Sequence, residues 1–559
     1  MKSDGDGMGS KFSIKTYEFN ESDINTINLE KYNDFPIVYI IYTTTLKKPL
    51  AYIGQTIHAK RRMKEHYSNK KRKKLEDIMI VAHDKFNQSA TYNFETNLIN
   101  YFLADGKFML QNKSQTTNSQ MHNYFEKKYY NFELFGKLWQ FLMDEKLVND
   151  SLDVLKNKDV YKLSPFKELS QDQLELKDNI IEICKEKVKL DKKFVYFIEG
   201  EAGTGKSVVL SAIFNEIQDL TKENSSAFYK TNNYLLVNHN EMLKTYEKIS
   251  ESLPNLHKKN FQKPTPFING VDNEKLKEAD IVLVDEAHLL LSKSDNFNNF
   301  TYENQLEEII KRSKVTVVVF DKKQVLKLKS HWDKSKLEKI KEKYDFAEFK
   351  LTTQFRVQAS DEVLEWMNAF VEKKILPIPK TQDKLTDNKF ELKIFNDAQK
   401  MYEAIKNKDD KEGLSRVVST FDYIHKKDGG EYFIEEGDFK LPWNRTTYKE
   451  TWAEHPDTIN EVGSIYTIQG FDLNYVGVIL GPSVSYDERT NRLTIDPSKY
   501  RDIEAFRSRA DLKNSAQANI KEEIILNSIN ILMKRGVHGL YIYASDEKLR
   551  KKLKELSIL

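Results

Sequence analysis

The stretch that most constrains this chain is FVYFIEGEAGTGKSVVLSAIF, residues 194–214, which carries the spacing G-x-x-x-x-G-K-S from Gly200 to Ser207. An apolar run of strand character ends in glycines and passes straight into a helical pattern. The glycines, Gly200, Gly203 and Gly205, let backbone N–H groups converge on an anion, and the helix that starts there turns its positive end to the same point. Lys206 is expected to reach the outer phosphates of a nucleotide, and Ser207 to hold its Mg²⁺. A loop of this kind requires a strand–loop–helix unit, and so an α/β fold.

The surrounding sequence agrees. FVYFIEG, NYLLVNH, DIVLVDE and VTVVVFD alternate with helical stretches. Short continuous apolar strands between helices argue for a parallel sheet covered on both faces. A second set, FELKIF, LSRVVSTF, SIYTIQ, VGVILG and GLYIYA, predicts another lobe of the same kind. DIVLVDEAH delivers Asp285 and Glu286 at the C-terminal end of a strand, where open α/β sheets bind ligands. Asp285 is expected to hold Mg²⁺ through water, and Glu286 to orient or deprotonate an attacking water.

From about residue 163 to 559 these segments resemble superfamily 1 helicases, and closely a bacterial helicase family related to the Schlafen helicase domain. The resemblance implies a role for each motif. In ELSQDQ, Gln173 would read adenine, with Gln171 as the alternative. In VVVFDKKQ, Asp321 and Gln324 would sense the γ-phosphate. Arg356 of LTTQFR would aim at the nucleotide. Thr467, Gln469 and Gly470 would form the coupling motif, and Arg535 of MKRG would be the arginine finger. DEAH stands for the more usual DEAQ or DECH, which puts His288 in the coupling position, and MKRG stands for MTRG.

The N-terminal part reads as a separate α/β unit. FPIVYIIYTTT and AYIGQT predict a hairpin, a basic helix follows over about 58–75, and another helix lies near 92–103. Arg62 comes ten residues after Tyr52 and His66 four later, a spacing that puts both on one helix face. With Tyr39, Tyr52-Ile53-Gly54, Glu95 and Asn112, the set resembles the GIY-YIG nuclease family over about 35–115. Its first motif departs, because Ile37 stands where that family has glycine. The resemblance implies phosphodiester hydrolysis, with Asn112 in the site. Arg62 has the fork suited to non-bridging phosphate oxygens. Glu95 would hold one Mg²⁺, or Mn²⁺ in its place, as Lewis acid. Tyr39, Tyr52 or His66 would serve as base or proton relay. Residues 60–74 hold nine Lys or Arg against one Glu, a local anion-seeking surface whose phosphate contacts would be salt-dependent.

Composition bounds the rest. The formal net charge is +3 over 559 residues, so nucleic acid must be met by local patches. Cys184 stands alone, which rules out a disulfide framework within one chain and fits a reducing compartment. No run of about 18 apolar residues predicts a membrane span, and the polar start MKSDGDGMGSK predicts no secretion. A cytoplasmic protein is expected. Richness in Lys, Asn, Ile, Tyr and Phe matches an AT-rich, bacterial genome.

The expected organisation is a polar segment over 1–34, a GIY-YIG domain over 35–118, a helical connector over 119–162 and RecA-like lobes over 163–345 and 346–559. The expected function is a nuclease–helicase acting on nucleic acid, DNA first. Repair, restriction or phage defence follows only by analogy. A nucleic-acid-stimulated ATPase with an inactive nuclease-like platform is the alternative of another class, and an RNA-directed nuclease is the third. Trp443 and Trp452 are expected in the core, with base stacking as the second reading.

Overall fold

Five short strands pair into the first sheet. The computed structural model describes residues 12–112, 124–200, 203–296, 299–321, 326, 334–351, 357, 359–379, 390–426, 428–445, 452–468, 471–506 and 514–557. The sheet order is β1 (Ser13–Glu18), β4 (Asp77–Ala82), β2 (Ile37–Thr43), β3 (Leu50–Thr56) and β5 (Met109–Leu110). β2 and β3 are rich in β-branched and aromatic residues and pair antiparallel, Tyr39 opposite Gly54 and Ile41 opposite Tyr52.

The segment expected to be polar and partly irregular contributes a strand. β1 pairs antiparallel with β4, from Ser13 opposite Ala82 to Glu18 opposite Asp77. SIKTYE hides this because an edge strand can keep polar side chains along most of its length. The expected basic helix is also shorter. It runs over Ala59–Ser68 and breaks at Asn69, whose side chain accepts from Lys71 N and starts a 3₁₀ turn over Lys70–Arg72. The next helix, Gln88–Asp105, is capped by Asn87 and ends on Gly106 at φ 72°. Ile37 is fully buried in the core beside Tyr39, Ile41, Ala59 and Met63. The connector follows as a π-helical turn, Tyr129–Leu134, and helix Phe135–Asp144. Tyr101 stacks on Tyr161 of the short helix Asp159–Lys162 at 4.7 Å.

Residues 1–183, 208–230 and 244–261 form one compact unit, and residues 184–207, 231–243 and 262–559 another. The six-stranded sheet has the order β11 (Asp345–Leu351), β6 (Phe194–Gly200), β10 (Ser313–Phe320), β9 (Ala279–Asp285), β7 (Asn233–Val237) and β8 (Phe261–Gln262). β11, β6, β10, β9 and β7 pair in parallel. β11 carries the first lobe past the expected boundary at 345. In its sequence DFAEFKL, Asp345, Glu348 and Lys350 are exposed, as an edge strand allows.

The main sheet of the second lobe is parallel throughout. Its order is β12 (Glu391–Ile394), β20 (Gly536–Ala544), β17 (Leu473–Leu480), β13 (Arg416–Ser419) and β16 (Val462–Gly463). Two hairpins are added, β14 (Phe433–Glu436) with β15 (Phe439–Pro442), and β18 (Val484–Asp487) with β19 (Arg492–Ile495). SIYTIQ, expected as a strand, forms the short helix Ile465–Ile468. Ser464 causes this: Thr467 Oγ1 accepts from its N–H, and its own hydroxyl accepts from Tyr466 N. Trp443 and Trp452 are 1% and 3% exposed, so both are packing residues.

Candidate active sites

The two tyrosines of the N-terminal hairpin lie on one face of the sheet, because paired residues and residues two apart share a face. Their rings sit 6.3 Å apart at 28°. Gly54 makes room for the first: a Cβ there would overlap the Tyr39 hydroxyl and ring carbon. This is the physical content of the Tyr-Ile-Gly motif. Helix Ala59–Ser68 covers the same face with Ala59 and Met63 and brings Arg62 and His66 to the hydroxyl. His66 Nε2 lies 2.7 Å from Tyr39 Oη, and Arg62 Nε donates to Tyr39 Oη at 3.3 Å. Glu65 takes the other side of the guanidinium, with Arg62 Nη1 donating to Oε2 at 2.8 Å.

Burial controls the protonation of this group. His66 is fully buried, and burial followed by the charges of Arg72 and Arg62 pulls it down to about 3, so its imidazole is neutral. Burial holds the Tyr39 phenol well above its ordinary range, against the opposing Arg62 hydrogen bond. Glu95 projects from helix Gln88–Asp105. Burial pushes its carboxyl up to about 8, opposed by the Arg62 charge. The Glu95 charge in turn acts on Tyr39. Thus Tyr39, Tyr52, Arg62 and His66 gather on one face, and the Glu95 carboxyl lies within electrostatic reach of Tyr39 and Arg62.

Asn112 has a different geometry. Its Oδ1 accepts from Ile53 N at 3.1 Å and its Nδ2 donates to Ile53 O at 2.8 Å, as a strand neighbour would. It fixes the backbone beside Tyr52. Arg72 was not singled out by its sequence: its guanidinium lies 3.8 Å from the Tyr52 ring centroid and reaches His66 Nδ1. Nothing in a run of lysines and arginines marks which one turns inward.

No cluster of three or more His, Cys, Asp or Glu among the described residues could hold a metal. A lone carboxylate is nevertheless a donor set that suits Mg²⁺, which keeps several waters and completes its shell with substrate phosphate oxygens. Glu95 therefore fits such an ion.

The second candidate site lies at the carboxyl end of β6. Gly203 and Gly205 have φ of +89° and +75°, values that favour glycine. Helix Lys206–Leu220 starts immediately after them. A Cβ at Gly200 would meet Thr204 Oγ1 at 2.9 Å and Leu351 Cβ at 3.2 Å. Lys206 Nζ donates to Gly200 O at 2.7 Å and lies 3.5 Å from Asp321 Oδ2. Asp285 ends β9, and Glu286 N donates to its Oδ1 at 2.9 Å. Glu286 itself is left-handed, at φ 51° and ψ 44°, a conformation that a non-glycine residue holds only under constraint.

His288 Nε2 lies 3.1 Å from Glu286 Oε2. Burial pushes His288 down to about 4, with Asp321 opposing and Lys206, Asp285 and Arg535 also felt. Arg535, from the second lobe, is 1% exposed and donates from Nη1 to Phe471 O at 3.1 Å. The left-handed glycines, the lysine at a helix start and the acidic pair fit a nucleotide with its Mg²⁺. Ser207 begins that helix beside Lys206.

Gln173 takes part in a capping box. Its Oε1 accepts from Ser170 N at 3.0 Å, while Ser170 Oγ accepts from Gln173 N at 3.3 Å. That S-x-x-Q pattern is a helix-start signal. Gln171 Nε2 donates to Glu175 at 2.8 Å. Gln324, Arg356, Gln469 and Gly470 lie outside the described residues.

A family model for the Schlafen group 3 DNA/RNA helicase domain matches residues 193–546. The chain belongs to that family. A model for the GIY-YIG catalytic domain matches residues 35–107, so the Schlafen group 3 domain is here fused to a GIY-YIG domain. A relative from Saccharomyces cerevisiae, "Uncharacterized protein YPL245W", is 42% identical over 412 residues, 69% of this chain and 90% of that protein. The Pif1 helicase from Candida albicans aligns over 69% of this chain and 96% of its own at 11% identity and a TM-score of 0.29. The Escherichia coli DEAH/RHA helicase HrpB aligns over 68% and 43% at 9% identity and a TM-score of 0.25.

Proposed function

We propose that this chain is an ATP-dependent nuclease–helicase whose GIY-YIG domain hydrolyses phosphodiester bonds in nucleic acid, DNA first, and whose Schlafen group 3 domain moves along or unwinds the strand. The observation that carries the reading is the convergence of Tyr39, Arg62 and His66, with Tyr52 beside them, on one hairpin face within electrostatic reach of Glu95. Arg62 pairs with the non-bridging oxygens of the scissile phosphate. Glu95 holds one Mg²⁺, which when bound supplies Lewis-acid stabilisation of the phosphoryl and leaving oxygens. A tyrosine hydroxyl relays the attacking water's proton, giving its own proton to solvent and taking the water's in its place. His66 is set aside as base because both of its ring nitrogens are occupied, Nε2 by the Tyr39 hydroxyl and Nδ1 by Arg72. Asn112 keeps Tyr52 in place through Ile53.

In the motor, Lys206 binds the outer phosphates, Ser207 and Asp285 hold the nucleotide's Mg²⁺, and Glu286 orients the attacking water. Arg535 stabilises charge on the transferring phosphoryl group, a contribution of about 10³–10⁵ in rate for such a residue. By the family resemblance, Gln173 reads adenine, Asp321, Gln324 and Arg356 respond to the γ-phosphate, and Thr467, Gln469 and Gly470 couple hydrolysis to movement. The exposed lysines of 60–74 track phosphates. The one cysteine, buried Cys184, supports a reducing, cytoplasmic setting. Repair or defence against invading nucleic acid is where such a fusion serves.

A second reading has support of its own. Burial keeps both Tyr39 and Glu95 toward their protonated forms, as suits a platform that binds nucleic acid without cutting it. One assay separates the two. The full chain is incubated with Mg²⁺, with and without ATP, on plasmid, single-stranded DNA and matched single-stranded RNA. Cleavage that is absent in Glu95→Gln and present in Lys206→Ala supports the nuclease–helicase. ATP turnover stimulated by nucleic acid, with no cutting by the wild type, supports the platform. Cutting of the RNA alone makes RNA the substrate.

A further inference from the structure

Of the nine basic residues over 60–74, Lys60, Arg61, Lys64, Lys70, Lys71, Lys73 and Lys74 are exposed. Arg62 and Arg72 turn inward. Arg62 is accounted for by the scissile phosphate. Arg72 is not, and its placement is specific. It sits at the end of the 3₁₀ turn Lys70–Arg72 that breaks the basic helix. From there its guanidinium covers the Tyr52 ring, with Cζ 3.8 Å from the centroid, and one of its terminal nitrogens meets His66 Nδ1. The other His66 nitrogen, Nε2, lies 2.7 Å from the Tyr39 hydroxyl.

The chemistry of these groups leaves one proton arrangement. Arginine is always a donor and has no acceptor. A nitrogen facing it must offer a lone pair, so His66 Nδ1 is bare. A neutral imidazole has one ring proton, which then sits on Nε2. That N–H points at Tyr39 Oη, which also receives Arg62 Nε–H at 3.3 Å. The Tyr39 oxygen thus accepts two hydrogen bonds, and its own proton is directed away from His66.

We propose that Arg72 is a positioning residue of the nuclease site, which locks His66 as the Nε2–H tautomer so that His66 donates to Tyr39 instead of taking its proton. The proposal rests on the nuclease reading and adds a division of labour to it. When the Tyr39 proton passes to solvent, the negative oxygen is met by two N–H donors already in place and keeps one lone pair for the attacking water's proton. Packing against the Tyr52 ring, a cation–π contact, fixes the plane of the guanidinium that does the locking.

The test uses the full chain with selectively ¹⁵N-labelled histidine. Long-range ¹H–¹⁵N spectra report the tautomer, and the His66 signals are assigned by their loss in His66→Ala. In the wild type Nδ1 is expected in the bare-nitrogen range and Nε2 in the protonated range, and Arg72→Met is expected to abolish that preference. A bare Nε2 in the wild type overturns the proposal whatever the activity.

Cleavage of a short oligonucleotide with Mg²⁺ supplies the second readout. Arg72→Met is expected to slow single-turnover cutting by about a hundredfold. Affinity for the same oligonucleotide, compared between Glu95→Gln and Glu95→Gln/Arg72→Met, is expected to stay within about twofold. An equal loss in affinity and rate makes Arg72 a phosphate contact and overturns the positioning role. His66→Gln, whose amide can donate but cannot act as base, is expected to keep cutting within about tenfold of the wild type, whereas a loss of about a thousandfold or more makes His66 the base. If the wild type cuts nothing, the nuclease reading fails, and the spectra still decide the tautomer.

Discussion

Tyr39 lies across the place where Gly54 has no side chain, and the candidate nuclease site is built on that overlap. Gly54→Ala forces the ring aside. Overpacking of this kind costs about 1–3 kcal/mol, so the variant is expected to melt earlier and to cut at least about tenfold more slowly, which differential scanning fluorimetry and an oligonucleotide assay would check. The motif positions were legible at this scale because a spacing of four on a helix and a register of two on a strand fix which side chains meet. Asn112 was legible as a member of the set, but its work on the Ile53 backbone was not. Arg72 was illegible because its neighbours in sequence have the same charge and differ only in direction. Trp443 and Trp452, expected in the core with base stacking as the second reading, are packed there.

Elements went astray where a local hydrogen bond outweighed the apolar pattern. SIYTIQ has strand propensity, yet Ser464 and Thr467 bond each other and start a helical turn. Asn69 stops the basic helix early in the same way. The central strands of both lobes were legible, since each is a short apolar run with no competing cap, whereas the edge strand β11 and the two added hairpins, which carry polar residues, were not. β13 leads to a further buried acid, Asp422, whose Oδ2 accepts from Thr420 Oγ1 at 2.6 Å. Burial pushes Asp422 up to about 6, against hydrogen bonds from Thr420 and Ser483. Its unfolded value is about 3.9. Between those values the folded chain binds more protons than the unfolded chain, so this group's contribution to stability is present below about pH 4 and lost as pH rises through about 6. Asp422→Asn removes that loss. Relative to the wild type, the variant is expected to gain in melting temperature from pH 4 to pH 7. An unchanged difference across that range would refute the assignment.

At the scale of the molecule, two candidate sites occupy one chain of net charge +3. Lys206→Ala is expected to abolish ATP turnover and leave slow cleavage of short oligonucleotides. Loss of both in that variant would mean the two activities cannot be separated. Binding of nucleic acid is expected to depend on local rather than overall charge. Replacing Lys70, Lys71, Lys73 and Lys74 with Gln is expected to weaken duplex binding and to reduce its log–log salt slope by about 0.9 for each phosphate no longer neutralised. A salt titration by fluorescence anisotropy checks this. The broad plan, a small α/β domain ahead of two parallel-sheet lobes, was legible because phosphate loops and apolar strands follow strict local rules. The segment ahead of residue 35 was not, because β1 is polar and finds its partner 59 or more positions later.

That strand has a practical consequence. The GIY-YIG match begins at residue 35, but the sheet begins at Ser13. A fragment cut to the match would lay bare the hydrogen-bonding rim of β4 and invite a second molecule to zip onto it. Gel filtration would find such a fragment self-associated, and one begun ahead of Ser13 monodisperse.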